Sequence, residues 1–192
     1  MTHKIQIEDT IYEANLDFRV AIECNRISED ETIGNYERGL GILCTLFGTH
    51  GIDNPKHYEK LFKWALKYLS FGVEVKDTDE EPDMDYIEDE KYIKSSFKYD
   101  YQYNPYEKEF LSWEDFYNDL NNLSNSEFGN CCILNRIRNL RNYDTSKIKD
   151  QKERQRIEEA KKRVALKKKH KEKKYTDDEL NNMEEFYKQT GL

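Results

Sequence analysis

The chain has 192 residues, of which 36% are hydrophobic and 36% are charged, so it carries apolar material for one modest core and much solvated surface. Eight glycines and three prolines are few for this length, which disfavours a turn-rich all-β sandwich and favours helices joined by short loops. No apolar run approaches the roughly 20 residues of a membrane span, and no apolar signal region opens the chain. We therefore expect a mainly α-helical protein of the cytoplasm.

The net charge of −8 conceals a strong polarity along the chain. Residues 145–175 hold fourteen Lys or Arg and five Asp or Glu, so they carry a net charge of +9 and the remainder carries −17. We therefore predict a compact helical core domain over residues 1–144, and a basic helical arm with a terminal helix over residues 145–192.

The first third of the chain predicts a small β-hairpin and three helices. Hydrophobic and polar residues alternate on both sides of a turn at residues 8–10, which indicates the hairpin. Asp17 can cap a first helix over about residues 18–26. Apolar residues at three- and four-residue steps over residues 33–47 indicate a second helix. The third follows Asn54-Pro55, and its apolar stripe contains Tyr58, Leu61, Phe62, Ala65, Leu66 and Leu69.

A flexible acidic loop is predicted at about residues 74–86, followed by three helices that complete the core. The first of these has Ile93, Phe97 and Tyr101 at four-residue steps and must end near Asn104, because Pro105 follows. The second begins at the Ser-x-x-acid signal of residues 112–115 and buries Trp113 and Phe116. The third extends over about residues 127–139.

The basic segment over residues 150–174 favours a helix, but its apolar stripe is too narrow for a core helix and suits a projecting arm or a single packed seam. A last short helix begins at Thr176 and has an apolar face of Leu180, Met183, Phe186 and Tyr187. The basic residues that could contact a partner are Lys161, Lys162, Arg163, Lys167, Lys168, Lys169, Lys171, Lys173 and Lys174.

Motifs that carry catalysis or bind cofactors do not emerge from the sequence. Gly39-Leu40-Gly41 lacks the third glycine of a dinucleotide loop, and Pro82 stands where a calcium loop starting at Asp77 needs glycine. The histidines lack the spacing of zinc hydrolases, and we expect His50 and His57 to be surface or capping residues. We expect no catalytic residue, no metal and no cofactor, and a protein that is not an enzyme.

The four cysteines lack Cys-x-x-Cys spacing. We interpret them as reduced core or edge residues of a cytoplasmic protein, with a metal or redox site as the second interpretation. They are Cys24, Cys44, Cys131 and Cys132.

Several segments together resemble the phage gene-product-fifteen family of siphophages, whose members are encoded before the tape-measure gene and are regarded as tail-assembly chaperones. In order, the segments are the hairpin leading into Asp17-Phe18-Arg19, the acidic loop leading into Asp89, Ile93, Phe97 and Tyr101, the helix start Leu111-Ser112-Trp113 with Phe116, and residues 144–150 opening the basic helix. The chain departs from the family at Glu114, where a second aromatic is usual, and in extending to Leu192.

The resemblance implies a non-enzymatic tail-assembly chaperone of the host cytoplasm, absent from the mature virion. Many copies would coat the tail tape-measure protein and leave as tail-tube subunits polymerise, with the tail-tube protein and a homo-oligomer as further partners and no membrane partner. A frameshifted, longer product commonly accompanies family members. Together with the apolar helix faces, the resemblance predicts partner contacts among Tyr58, Phe62, Trp113, Phe116, Phe186 and Tyr187.

The alternative is a nucleic-acid-binding or head-completion phage protein that uses the basic helix. Lysine rows attract phosphate through counterion release. Within the basic segment, however, Lys outnumbers Arg, aromatic residues do not interleave the cluster, and the rest of the chain repels phosphate. We therefore favour a solvated helix, or docking of this segment on an acidic protein surface, over binding to nucleic acid.

Titration of labelled duplex DNA at about 150 mM salt, followed by fluorescence anisotropy, should show no submicromolar binding, because the acidic remainder of the chain opposes phosphate. The contrary result, submicromolar binding that disappears when Lys167, Lys168 and Lys169 are replaced by Glu, would support the nucleic-acid alternative.

Overall fold

The structure is a computed structural model that describes residues 2–72, 82–125 and 131–167. Within these ranges the chain forms one antiparallel hairpin and seven α-helices, so the predicted mainly α fold with an N-terminal hairpin is confirmed. The elements are β1 (Thr2–Ile7), β2 (Thr10–Asn15), α1 (Phe18–Ser28), α2 (Asn35–Phe47), α3 (Tyr58–Leu69), α4 (Glu90–Tyr101), α5 (Trp113–Asn121), α6 (Ile133–Asn142) and α7 (Gln151–Val164).

The described residues fall into two compact units. The first contains residues 2–72 and 110–114, and the second contains residues 82–109, 115–125 and 131–167. The predicted division after residue 144 does not coincide with these units, because α6 and α7 both belong to the second; that division stays a prediction.

The first unit has an apolar core formed by the hairpin with α1, α2 and α3. Strand alternation places Tyr12 and Ala14 of β2 in this core while Ile11 and Glu13 remain exposed. Its buried residues are Ile7, Tyr12, Ala14, Cys24, Ile42, Leu43, Leu46, Phe47, Tyr58, Leu61 and Ala65.

Trp113 joins the first unit from far along the sequence. Its indole Nε1 donates a hydrogen bond to the Leu69 carbonyl at 3.2 Å, and its ring stacks on Phe71 at 5.6 Å. Its backbone N–H donates to the Leu16 carbonyl at 3.0 Å, and the Phe18 N–H donates to the Leu111 carbonyl at 2.9 Å. These bonds attach residues 111–113 to the chain between β2 and α1.

His57 lies in the interior rather than at the surface; it occupies the N-cap position of α3, as the capping interpretation allowed, but its side chain makes no capping hydrogen bond there. Only 3% of it is exposed, and its Nδ1 lies 2.8 Å from the buried Tyr12 hydroxyl. The Nε2 atom faces the Asn54 amide at 3.3 Å and a Glu8 carboxylate oxygen at 3.4 Å. These partners satisfy both ring nitrogens, so the polar side chain can be buried. His50 is exposed, as expected.

The second unit has its own core between α4, α5 and α6. Phe97 and Phe116 are fully buried and stack at 5.5 Å between ring centroids. The Ser96 hydroxyl accepts a hydrogen bond from the Leu134 N–H at the start of α6, at 3.0 Å. The Asn135 amide donates to the Leu123 and Ser124 carbonyls, both at 3.2 Å. Polar groups at the helix ends are therefore satisfied inside this core.

Three helix boundaries differ from the predictions. α4 ends at Tyr101, earlier than the proline requires, because Gln102 takes a left-handed conformation with φ of 60°. α6 begins at Ile133, and the predicted start near residue 127 lies outside the described residues. α7 ends at Val164 rather than near residue 174, and residues 165–167 are not helical. Repulsion within the lysine-rich sequence weakens helix continuation there.

Two glycines of the first unit should respond oppositely to alanine. A Cβ at Gly39 in α2 would lie 3.8 Å from the Phe62 ring, an ordinary contact, so Gly39→Ala should stabilise by about 0.5–1 kcal/mol through lost chain entropy. A Cβ at Gly51 would lie 2.7 Å from the Phe47 Cβ and 2.8 Å from the Leu43 carbonyl oxygen, so Gly51→Ala should destabilise by about 1–3 kcal/mol. Urea unfolding measures both, and equal stabilities would contradict this packing.

Candidate partner-binding surfaces

Of the six aromatic residues predicted to contact a partner, most of those described lie in the cores. Trp113 is 2% exposed, Phe116 0% and Tyr58 8%, whereas Phe62 is half-buried. Phe186 and Tyr187 lie outside the described residues. The partner-binding role of the set stays a prediction, and contact through the three buried side chains would require local opening of the fold.

An apolar surface does remain open on the first unit. We call it the α2–α3 face, and it consists of Tyr36, Gly39, Phe62 and Leu66. Tyr36 and Leu66 are each 48% exposed. Phe62 and Leu66 are four residues apart on one side of α3, and the Phe62 ring packs over Gly39 of α2. Large exposed side chains grouped around a ring in this way are characteristic of an interaction surface.

The place of Tyr36 beside α3 is also visible in its effect on Tyr58. Burial, and then the neighbouring Tyr36 hydroxyl, raise the pKa of Tyr58. Tyr58 is fixed in turn, because its hydroxyl donates to the Ile52 carbonyl at 2.7 Å. Sequence periodicity put Tyr36 and Leu66 among core positions, because it cannot tell how much of a wide stripe its neighbours cover. The apolar stripe of α3 is wide, and this width indicates that part of the stripe remains exposed to solvent.

Positive charge borders the α2–α3 face. α3 and the turn before it carry four lysines and one glutamate: Lys56, Lys60, Lys63, Lys67 and Glu59. Glu59 pairs with Lys63, and Lys60 approaches Glu8 at 3.7 Å. Both are exposed pairs that solvent screens strongly. The solvent side of α3 is therefore net positive and suits a partner segment with carboxylates.

The basic helix α7 belongs to the second unit and packs against it along one narrow apolar side. Ile157, Ala160 and Val164 are half-buried at three- and four-residue steps, and α7 packs against α6. Lys161 is half-buried and donates to the Tyr143 carbonyl at 2.6 Å. Of the other predicted contact residues, Lys162, Arg163 and Lys167 are exposed, whereas Lys168, Lys169, Lys171, Lys173 and Lys174 lie outside the described residues.

Arg141 holds the end of α7 in place through hydrogen bonds within the second unit. Its guanidinium donates to both carboxylate oxygens of Asp89, each at 2.7 Å. It also donates to the Val164 carbonyl at 2.6 Å and to the Asp83 carbonyl at 2.8 Å. The side chains of Arg141 and Asp89 are 9% and 1% exposed. Hydrogen bonding to Asp89 raises the pKa of Arg141, so the guanidinium stays charged in this bidentate pair.

The described residues give little basis for small-molecule chemistry. They contain no group of three or more His, Cys, Asp or Glu side chains that could hold a metal ion. Burial raises the pKa of Cys24 to about 12, which makes this thiol unreactive. A recess of about 230 Å³ beside Tyr103 is smaller than the roughly 300–1,000 Å³ of common ligand sites. The features that could recognise another molecule are surfaces rather than pockets.

Comparison with known proteins gives the family of this chain. The family described as Bacteriophage Gp15 protein matches residues 1–166. The match covers most of the chain, which therefore belongs to the Gp15 family of bacteriophage proteins, and membership indicates a phage structural or assembly protein. No curated protein and no solved structure matches the chain. Among the described residues, none of the helices combines the length and apolar character that crossing a membrane requires.

The ion pair at Arg141 can be tested by removing its partner. Asp89→Ala leaves a buried guanidinium without its counter-charge, so we expect the free energy of unfolding to fall by about 3 kcal/mol or more. The matched control is Glu23→Ala, which breaks the exposed Glu23–Arg26 pair and should change stability by less than about 1 kcal/mol. Denaturant unfolding measures both variants. Similar losses of stability in the two variants would show that the Asp89–Arg141 pair stabilises the fold no more than an exposed ion pair does.

Proposed function

We propose that this protein is a tail-assembly chaperone that binds the tape-measure protein of its own phage without catalysis. Membership of the Gp15 family supports a phage assembly role. The observation that carries the finer proposal is the α2–α3 face, where Tyr36 and Leu66 are half-exposed around Phe62. An amphipathic helix of a long partner can lay its apolar side on such a face.

The binding mechanism is stoichiometric, with one weak contact repeated along the partner. Burial of apolar area contributes about 25 cal/mol per Å², so a face of a few side chains gives modest affinity for one copy. Many copies on one tape-measure chain cover its exposed apolar stripe together. Exposed basic residues of α7, among them Lys162 and Arg163, add electrostatic attraction to acidic partner segments. Tail-tube subunits displace the chaperone as they assemble in the host cytoplasm.

The nucleic-acid alternative has weaker support from the second unit. Its basic helix is packed along one side, and Lys161 and Arg141 are engaged by backbone carbonyls of the same unit. Of the predicted phosphate contacts within the described residues, three remain exposed: Lys162, Arg163 and Lys167. By themselves these three cations give a modest phosphate footprint at physiological salt, and the other five predicted contacts lie outside the described residues.

Co-expression with the tape-measure protein tests the proposal. The wild-type chain should raise the soluble fraction of the tape measure and co-purify with it in several copies. Leu66→Glu places a charge in the α2–α3 face and removes a Leu side chain whose burial by the partner would contribute about 2 kcal/mol, so co-purification should fall at least about tenfold. Tyr99→Glu, at a 62% exposed position on α4, is the matched control and should behave as wild type.

The outcomes of this experiment test the chaperone role and the location of the binding surface separately. Unchanged tape-measure solubility together with no co-purification by the wild-type chain would contradict the chaperone role. Co-purification that survives Leu66→Glu but is lost in Tyr99→Glu would move the binding surface from the first unit to the second.

A further inference from the structure

The outer edge of β1 has backbone groups that could pair with another strand. Among the described residues the sheet contains two strands, so β1 pairs along one edge, with β2. Ile7 and Thr10 close a two-residue turn and therefore exchange hydrogen bonds. Because bonded and non-bonded pairs alternate along a hairpin, the N–H and C=O groups of Lys4 and Gln6 point away from β2. No described backbone group bonds to them there.

This edge lacks the features by which monomeric proteins protect an exposed strand. β1 is six residues long, contains no proline or glycine, and pairs with β2 without a bulge. Its one lysine, Lys4, forms an exposed ion pair with Glu13 of β2 at 3.2 Å. The strand is held firmly, because His3 stacks on Trp64 of α3 at 5.5 Å and Ile7 is buried. A firm and unprotected edge is a template for strand addition.

The sequence of β1 is complementary to a second copy of itself. In a symmetric antiparallel pair, the hydrogen-bonded positions must join residues whose backbone groups point outward. Lys4 can oppose Gln6 of the second copy, whereas opposing the second Lys4 places like charges together. A register that pairs Gln6 with itself overlaps the strands over residues 5–7 alone, because Glu8 lies in the turn. The favoured register therefore pairs Lys4 with Gln6 and places the two half-buried Ile5 side chains opposite each other.

We propose that two copies of this chain associate through the outer edges of their β1 strands, in this register, and form a four-stranded antiparallel sheet. The favoured register is two-fold symmetric, so the Lys4–Gln6 pair forms twice and Ile5 meets its own copy. Opposed residues face the same side of a sheet, so the core-facing sides of the two hairpins lie on one side of the joined sheet. The α2–α3 face lies on helices and shares no residue with this edge.

The dimer is expected to be weak and to exchange with the monomer. A strand pair of this length buries less than the roughly 1,200 Å² at the lower end of stable interfaces. We expect a dissociation constant of about 10–100 μM. A dimer also presents two α2–α3 faces, so edge pairing would strengthen binding to any partner that carries repeated sites.

Sedimentation equilibrium of the full-length chain over a series of concentrations measures this association, and the wild-type chain should pass from monomer to dimer. Gln6→Pro removes an outward N–H and spares the hydrogen bonds to β2. Symmetry doubles the loss, so the dissociation constant should rise at least about tenfold. Gln6→Ala is the matched control, because it also loses the side-chain bond to the Glu8 carbonyl but keeps the N–H. It should dimerise as wild type does, and circular dichroism verifies that both variants fold.

Cysteine cross-linking tests the register without interrupting the strand. Ile5→Cys places two thiols opposite each other at a non-hydrogen-bonded pair, where Cα atoms about 4.5 Å apart allow a disulfide. Mild oxidation should therefore give a covalent dimer, above the background that the native cysteines give in wild type. Lys4→Cys alone should not cross-link, because the two copies of position 4 lie about 7–8 Å apart on a diagonal. An equimolar mixture of Lys4→Cys and Gln6→Cys should cross-link.

A wild-type chain that stays monomeric up to about 1 mM would overturn the inference, as would a dimer of unchanged affinity in folded Gln6→Pro. Cross-linking of Ile5→Cys no greater than that of wild type would also overturn it, and this result decides alone if Gln6→Pro does not fold. Co-purification of the tape measure is a separate readout, so the dimer can fail while the chaperone role stands, and the reverse.

Discussion

The guanidinium of Arg141 organises the second unit, because it binds segments that are far apart in the sequence. It binds the Asp89 carboxylate next to α4, the Asp83 carbonyl before it and the Val164 carbonyl at the end of α7. Burying a charge pair brings a large desolvation penalty, which is offset only when the remaining donors and acceptors are satisfied. Here Asp89 also accepts from the Asp85 N–H at 3.1 Å, so both partners are well bonded. The pair therefore fixes where these segments lie rather than adding much net stability.

The first unit depends on a different kind of contact between distant parts of the chain. Trp113 is buried and donates a hydrogen bond to the carbonyl of Leu69 at the end of α3, forty-four positions earlier in the sequence. The helix that begins at Trp113 continues to Phe116, which is buried in the core of the second unit. This helix therefore holds one large buried aromatic residue of each unit. Substitutions in this helix have consequences for both units, and this sets its aromatic residues apart from those on the α2–α3 face.

A chaperone of the proposed kind has to expose apolar groups and still remain dispersed. In the first unit, the exposed apolar group is limited to a few side chains on the packed pair α2 and α3, and the lysines of α3 lie on the same helix as Leu66. Phe62 illustrates this balance, since its ring rests on Gly39 while its neighbour Leu66 faces solvent. Even a Cβ at Gly39 would meet the Phe62 ring at an ordinary 3.8 Å, so the ring has a fixed support on α2. The resulting face is firm, and a partner that binds it does not have to order it first.

Local signals in the sequence were sufficient for the hairpin, the starts of most helices and the family. Asp17 caps α1 by accepting from the Arg19 N–H, and Asp150 caps α7 by accepting from the Lys152 and Glu153 N–H groups. Such bonds join residues two or three positions apart, so a sequence pattern can contain the whole interaction. The end of α4 shows the limit of such local prediction. Pro105 marks the last point at which the helix can end, but the left-handed Gln102 ends it sooner.

Only the tertiary structure decided which apolar and polar residues are buried. His57 is buried because Tyr12, forty-five residues away, supplies a hydroxyl to its ring nitrogen. Asp89 and Arg141 form an ion pair although they lie fifty-two positions apart, and the local sequence around either residue does not predict this pairing. Tyr36 and Leu66 have the periodicity of core residues, yet each is 48% exposed. Periodicity determines which side of a helix is apolar, whereas burial depends on the neighbour that chain folding brings to that side.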